Sequence, residues 1–255
     1  ASSRAVYGEG KYLCTKHGLV YPGARLPEDM QKGEFECKCP VCRRDITALP
    51  TDEESIISPQ SVYGVTKFNQ EQLVKSVCKS INLPYTIFRF QNVYGKGQSL
   101  NNPYTGILAI FSKLLLENKE INIFEDGLES RDFIHVSDVA RSVYTDLKSR
   151  QNDQVYNVGS GKKTTVSEVV HILSGKVKDP ARSRTSGFFR IGDIRHNFAD
   201  TGKISQLLDF SPMVRLEDGI SELFDWARSS DSDAISNNYN KSLSEMKKLK
   251  LLLGK

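Results

Sequence analysis

Apolar residues follow two alternating rhythms along this chain. Tyr85-Thr86-Ile87-Phe88-Arg89-Phe90 is a β-rich run of strand length, and residues 121–124, 132–136 and 154–158 repeat the pattern. Between these runs the period changes to about 3.6. Pro59-Gln60-Ser61 opens a predicted helix that carries Val65, Phe68, Leu73, Val74 and Val77, and Asn82-Leu83-Pro84 ends it. Ile107, Leu108, Ile110, Phe111, Leu114 and Leu115 predict a strongly apolar helix. Residues 139–147 and 165–173 predict two more, the second with Val166, Val169, Val170 and Leu173 on one face. Residues 202–208 and 216–228 complete the series. Strands alternating with helices predict an α/β architecture with parallel pairing.

Three stretches break the rhythm. Residues 1–8 read as the end of a buried strand running into a loop. Residues 9–50 are rich in Lys, Glu, Gly, Cys and Pro, without helical periodicity, and read as an insertion. Residues 229–240 are rich in Ser, Asp and Asn and are expected to be disordered. Residues 243–253 read as a basic amphipathic helix, expected to lie as a frayed surface tail.

Composition narrows the class. At 255 residues, 38% hydrophobic and 26% charged, the chain can bury a sizeable core. A net charge of +4 fits an anionic small molecule and is too weak to argue for nucleic acid. No apolar run approaches the roughly 20 residues of a membrane span, so a cytoplasmic protein with neither nucleic-acid nor membrane partner is expected. Four of the five cysteines, Cys14, Cys37, Cys39 and Cys42, cluster near the N-terminus, which in a reducing compartment favours metal over disulfide. Cys14-x-x-His17 followed by Cys39-x-x-Cys42 has the two-plus-two spacing of a zinc ribbon. Cys37 is a spare or alternative ligand, and Cys78 is expected to be buried in its helix.

A tyrosine followed four residues later by a lysine places both side chains on one helix face. The ammonium then stabilises phenolate, whose ordinary pKa is about 10, and the tyrosine can act as a general base. The spacing occurs four times: Tyr7/Lys11, Tyr12/Lys16, Tyr63/Lys67 and Tyr144/Lys148. The first two lie beside Gly- and Cys-containing loop sequence. Tyr144/Lys148 lies on a predicted helix with no serine partner upstream. Tyr63/Lys67 opens a long helix after Ser58-Pro59-Gln60-Ser61, with Ser2-Ser3 upstream and a β-run downstream, and is the expected functional pair.

Ser2-Ser3-Arg4-Ala5-Val6-Tyr7-Gly8 and Tyr63-Gly64-Val65-Thr66-Lys67 resemble the catalytic half of extended short-chain dehydrogenase/reductases, the NAD-dependent sugar-nucleotide epimerase/dehydratase family. Three more segments resemble it in order: Arg89-Phe90-Gln91-Asn92-Val93-Tyr94-Gly95, Arg131 to Val139, and Arg190-Ile191-Gly192-Asp193-Ile194-Arg195. The resemblance implies a Rossmann-like doubly wound parallel sheet with a small C-terminal substrate-binding domain and the Cys/His-rich insertion. It implies residues 1–160 as the dinucleotide-binding part, with insertion 9–50 and some substrate region near 92–130, then 161–228 as mainly substrate-binding, then the tail 229–255. It implies that Ser3, Tyr63 and Lys67 are catalytic, that Tyr63, Lys67 and Phe90 lie against NAD, and that Ser3, Asn92, Arg131, Arg190 and Asp193 hold a nucleotide-sugar substrate. A homodimer is implied for the complete protein.

No G-x-G-x-x-G or G-x-x-G-x-x-G occurs in the 255 residues, although a strand–turn–helix of that kind grips a dinucleotide's pyrophosphate. The chain is therefore expected to begin partway through its first domain, without some strands of the sheet, and not to bind NAD tightly or turn over substrate alone. The family's dehydratases carry Thr-Asp-Glu, and its decarboxylases a glutamate, where this chain has Ser3-Arg4-Ala5. Without those carboxylates the resemblance implies 4-epimerisation of a nucleotide-activated hexose. The Cys/His insertion and Gln98-Ser99-Leu100-Asn101-Asn102-Pro103-Tyr104-Thr105-Gly106 narrow it toward dTDP-L-rhamnose 4-epimerases. The alternatives are another UDP- or GDP-sugar epimerase or reductase of the family, and a non-catalytic fragment whose insertion is a zinc-stabilised interaction module.

Overall fold

The computed structural model describes residues 1–100, 106–177, 183–230 and 235–254. A parallel sheet in the order Ser2–Ser3, Thr86–Phe90, Gln154–Val158 organises the first half. Side chains alternate across a strand, and here the alternation separates two environments. Phe88, Tyr156 and Val158 face an apolar layer with Val139, Val143, Ile204 and Leu208, drawn from the helices Val136–Lys148 and Gly202–Leu208. Arg89 and Asn157 point the other way. Arg89 forms a two-pronged, buried ion pair with Glu71 of the helix Val62–Ser80, at 2.9 and 2.8 Å. Helices thus cover both faces, as a doubly wound sheet requires.

The helix Val62–Ser80 departs from the amphipathic expectation. Its buried residues are Gly64 and Glu71, whereas Val65, Leu73, Val74 and Val77 are exposed. It docks through one close backbone contact and one ion pair rather than through its apolar stripe. Cys78 is correspondingly half-exposed, not buried.

A second core forms around the helices Ile107–Leu116, Val166–Ser174 and Leu216–Ser229, which contribute Phe111, Leu115, Val169, Leu173, Leu223 and Phe224. The helix Val166–Ser174 begins with a reciprocal cap: Thr165 Oγ1 accepts from Glu168 N while Glu168 Oε2 accepts from Thr165 N. The insertion has a small core of its own. Tyr12–Cys14 pairs antiparallel with Gly18–Val20 and Thr47–Ala48, burying Tyr12, Cys14, Val20, Cys37, Cys39 and Ile46. It also contains the short helix Pro27–Gln31, which the sequence did not signal.

The C-terminal stretch differs from expectation. Ile235–Lys248 is helical, so only residues 231–234 of the Ser/Asp/Asn-rich run lie outside the description. The chain then does not fray. Leu252–Leu253 pairs antiparallel with Phe189–Arg190; Leu252 is buried, and Leu253 packs against an apolar group of Met30, Phe35 and Phe189. Among the described residues no helix is long and apolar enough to cross a membrane.

Candidate active site

The parallel strands end level with one another. Ser3 is in register with Phe90, and Phe90 with Val158. Ligands of open α/β sheets bind beyond this carboxyl edge, and the segments that leave it build the site. After Ser3 the chain turns at once into the 3-10 helix Arg4–Tyr7, which Ser3 caps by accepting from Ala5 N at 3.2 Å. Gly8 ends the turn at φ 63°, and a side chain there would meet the Ser58 carbonyl at 2.3 Å. That approach brings the loop before Ser61 back to the sheet edge. Ser61 Oγ accepts from Gly64 N at 3.0 Å, starting the helix that carries Tyr63 and Lys67. Lys67 Nζ lies 5.9 Å from the Tyr63 ring centre and donates to the Ala1 carbonyl at 3.2 Å and Gln70 Oε1 at 3.1 Å.

Ser3, Arg4, Tyr63, Lys67, Phe90 and Asn92 line a cavity of about 610 Å³. A second cavity of about 350 Å³, lined by Asn92, Phe124, Glu129, Arg131, Arg190 and Asp193, adjoins it. The two share Asn92, Val93, Gln98, Gly106 and Asp193, so they form one cleft. All eight residues expected at the site (Ser3, Tyr63, Lys67, Phe90, Asn92, Arg131, Arg190 and Asp193) line it. Of the loop 98–106, residues 101–105 lie outside the described residues, while Gln98 and Gly106 stand at the junction.

The second cavity carries charges of both signs: Arg131 and Arg190 stand with Glu125, Glu129 and Asp193. Arg131 is fixed by Asp193 Oδ1 at 2.9 Å and by the carbonyls of Ser130, Ile194 and Arg195. Burial pushes the Asp193 carboxyl up, but Arg131, Arg190, Arg4 and Arg25 outweigh it and hold it below the ordinary aspartate value. Arg190 lies over the Phe124 ring, 5.0 Å from its centre, and is held by the strand that pairs with Leu252–Leu253. Several buried polar atoms lack partners among the described residues: Gln91 Nε2 and Oε1, Asn92 Nδ2, and Arg190 Nε. Orphaned donors and acceptors at a cleft are groups a polar ligand would satisfy.

The other tyrosine–lysine pairs separate from this site. Tyr7 is buried; its hydroxyl donates to Asn157 Oδ1 at 2.8 Å and accepts from Arg89, while Lys11 pairs with Asp52. Tyr12 is fully buried in the insertion core. Tyr144 and Lys148 stack at 4.1 Å on an exposed helix face and line neither cavity.

In the insertion, Cys14, His17, Cys39 and Cys42 converge, their ligand atoms all within 4.8 Å of one another. His17 Nδ1 lies 3.6 Å from Cys14 Sγ and 3.5 Å from Cys39 Sγ, and the Cys14 and Cys42 sulfurs are 3.8 Å apart. Cys37 stands outside the group; burial and the nearby Glu9 push its thiol well up. Sequence reasoning missed how this module is fastened to the cleft. Arg25 clamps Glu125 at 2.8 and 2.7 Å and donates to the Asp193 carbonyl at 3.0 Å. Glu36 accepts from the fully buried Arg195 at 2.8 and 2.6 Å. Burial would raise the Glu36 carboxyl, yet His196 and Arg195 hold it at about 2. These partners are 100 or more residues apart in sequence, so no local pattern announces them.

Residues 44–159 match the NAD dependent epimerase/dehydratase family. The chain belongs to that family. The matched span contains Tyr63, Lys67, Phe90, Asn92 and Arg131, while Ser3, Arg190 and Asp193 lie outside it. The chain is 37% identical to a dTDP-L-rhamnose 4-epimerase of Burkholderia thailandensis, over 88% of this chain and 61% of that protein. It is 31% identical to a putative UDP-glucose 4-epimerase of Methanocaldococcus jannaschii, over 72% of this chain and 58% of that protein. It therefore spans about three-fifths of the length of these curated relatives. Among solved structures, it is similar to the UDP-N-acetylglucosamine 4-epimerase of Methanobrevibacter ruminantium in complex with UDP-N-acetylmuramic acid. The TM-score is 0.67 at 27% identity, covering 88% of this chain and 60% of that one. These family members share the Rossmann-type sheet, and others of them were solved with NAD.

Proposed function

We propose that the chain serves NAD-dependent 4-epimerisation of a nucleotide-activated hexose, with dTDP-L-rhamnose as substrate. One observation carries this reading: a tyrosine–lysine pair beside a serine opens, through Asn92, onto a cavity with two arginines and an aspartate. That is room for a sugar at one end and an anionic nucleotide at the other. Arg131 and Arg190 suit a diphosphate because guanidinium forks match phosphate oxygens, and Asp193 suits ribose hydroxyls. The likeness to the Burkholderia thailandensis protein supports the choice of nucleotide and sugar.

The residues present fit the nicotinamide half of NAD. The cavity wall of Tyr63, Lys67 and Phe90, with the unpartnered amide of Gln91 behind it, accepts a polar ring ligand. No Gly-rich phosphate turn occurs among the 255 residues. Bound NAD would supply the acceptor and donor for the hydrogen on C4. The protein handles the proton on O4. Lys67 stabilises the Tyr63 phenolate, which takes that proton with Ser3 orienting the hydroxyl. The 4-keto sugar turns over in the cleft, and Tyr63 returns the proton to oxygen on the product. Arg4 and Ala5 offer no carboxylate for dehydration, so the configuration at C4 is what changes.

The test is proton NMR of dTDP-L-rhamnose with the holoenzyme in deuterated water. The 4-epimer should appear with no solvent deuterium at C4. Deuterium at C4, or conversion of UDP- and GDP-sugars in preference, would overturn the mechanism or the substrate respectively.

We infer separately that Cys14, His17, Cys39 and Cys42 hold a structural zinc. Zinc–sulfur bonds of about 2.3 Å in a tetrahedron put ligand atoms about 3–4 Å apart, and the distances of 3.6, 3.5 and 3.8 Å among these atoms lie in that range. Metal analysis of protein purified without chelator should find about one zinc per chain, and finding none would reject the site.

A further inference from the structure

We propose that Arg4 is a third arginine of the anion site and grips the phosphate that bears the sugar. This rests on the nucleotide-sugar reading above and deepens it. Arg4 was notable in the sequence only for not being an acid. In the structure it lines the cleft on the turn that Ser3 caps, in the same cavity wall as Tyr63, Asn92 and Asp193. Its guanidinium is within electrostatic reach of Tyr63 on one side and of the Arg131–Asp193 pair on the other.

The guanidinium makes no hydrogen bond and no ion pair with any of the described residues. The carboxylate it might have used, Asp193, is committed to Arg131 at 2.9 Å. Three arginines (Arg4, Arg131 and Arg190) face this part of the cleft, and the carboxylates nearest Arg4 are taken by other cations: Asp193 by Arg131, and Glu9 by Arg25. Burial, and then the neighbouring Arg131, push the Arg4 pKa down to about 10 against the opposing pull of Asp193, Glu9 and Tyr63. Diphosphate oxygens supply the hydrogen-bond acceptors that the Arg4 guanidinium lacks.

Position selects the phosphate. Tyr63 and Ser3 fix the sugar end, and Arg131, Arg190 and Asp193 fix the nucleoside end. In a nucleotide sugar laid between them, the group connecting the two is the sugar-bearing phosphate, and Arg4 is the cation beside it. A guanidinium there takes two phosphate oxygens at once, tying the sugar's anomeric end to the same turn that carries Ser3.

The experiment is calorimetric titration of the 255-residue chain with thymidine diphosphate and thymidine monophosphate, for wild type, Arg4→Met and Arg4→Lys. A monophosphate lacks the second phosphate and therefore does not reach Arg4. Arg4→Met should weaken the diphosphate by about 10- to 100-fold, the worth of one charge-assisted contact, and leave the monophosphate within about 3-fold. Unchanged monophosphate binding also shows that the variant is folded. Arg4→Lys should recover part of the diphosphate affinity. Equal diphosphate affinity in wild type and Arg4→Met overturns the assignment, as does an equal loss for both nucleotides. Wild-type protein that binds neither nucleotide overturns the nucleotide-sugar reading itself.

Discussion

The α-carbon of Gly64 rests against the carbonyl of Ala5 so closely that a methyl group there would stand 2.5 Å from the oxygen. This contact sets the helix bearing Tyr63 and Lys67 against the turn bearing Ser3 and Arg4. Little else on that helix is buried, apart from Glu71. The geometry of the site therefore depends on the smallness of one residue.

Gly64→Ala should force the helix away from the turn. Overpacking of this kind costs about 1–3 kcal/mol, and the Tyr63–Ser3 spacing should widen with it. Urea denaturation and steady-state turnover of the holoenzyme would read both effects. Wild-type stability and wild-type kcat together would show that the contact does not set the site.

Tyr63→Phe removes the proposed base and should lower kcat by about 10²–10⁴-fold. Tyr144→Phe carries the same substitution on the other helical tyrosine–lysine pair and should change turnover less than 2-fold, roughly, as expected for an exposed surface position. Similar losses in the two variants would mean that the cleft does not select the pair.

These two tyrosines show what the sequence could tell. The strand 154–158 was legible to the residue, because a run bounded by Gly159 leaves little choice of ends. The helices Val166–Ser174 and Gly202–Leu208 were legible in the sequence to within a residue, the first from its apolar period. The convergence of the expected residues on one cleft was legible because they cluster in short segments around strand ends. Other features were not. The apolar stripe of Val65, Leu73 and Val77 predicted a buried face, yet periodicity reports amphipathicity and cannot say what covers it. Leu252–Leu253 read as a frayed end because its pairing partner lies more than 60 residues away. The clamp of Arg25 and Glu36 on Glu125 and Arg195 is invisible for the same reason: charges on a polar insertion look solvated until the fold buries them.

Chelation of the cysteine–histidine group should do more than loosen the insertion. Arg25 and Glu36 lie on the module that Cys14, His17, Cys39 and Cys42 would close, and both reach the loop holding Asp193 and Arg195. Removing zinc, or Cys39→Ser, should lower the thermal midpoint and weaken thymidine diphosphate binding in parallel. Loss of metal with both quantities unchanged would uncouple the module from the cleft.

Glu71→Gln should be costly. Arg89 is buried, and its main charge partner is Glu71, which also accepts from Ser2 Oγ. Removing one partner of a buried pair typically costs about 3–5 kcal/mol. Burial pushes the Glu71 carboxyl up, but hydrogen bonds from Arg89 and Ser2 outweigh it and hold the pKa below the ordinary 4.5. A depressed folded-state pKa gives stability that is complete above the unfolded value and is lost as pH falls through the folded one. Urea midpoints measured from pH 7 down through pH 4 should therefore fall more for wild type than for Glu71→Gln. A variant as stable as wild type at pH 7 would remove the pair from the account.

Glu129 carries the opposite sign. It lines the second cavity, is buried, and its Oε2 lacks a hydrogen-bond partner among the described residues. Burial, reinforced by the charge of Glu125, raises its pKa from 4.5 to about 7. Between those values the folded chain keeps a proton that the unfolded chain has lost. The folded state binds more protons there, so stability declines as pH rises across the window and is level above it. Glu129→Gln mimics the protonated acid and has no proton to lose. Relative to wild type it should gain on the order of 2–3 kcal/mol between pH 4.5 and pH 8. The measurement is the difference between the two urea-unfolding free energies across that range, in which the other titrating groups cancel. A difference that stays flat, or that favours wild type as pH rises, would show that Glu129 is ionised in the folded protein throughout and that the cavity wall carries its charge.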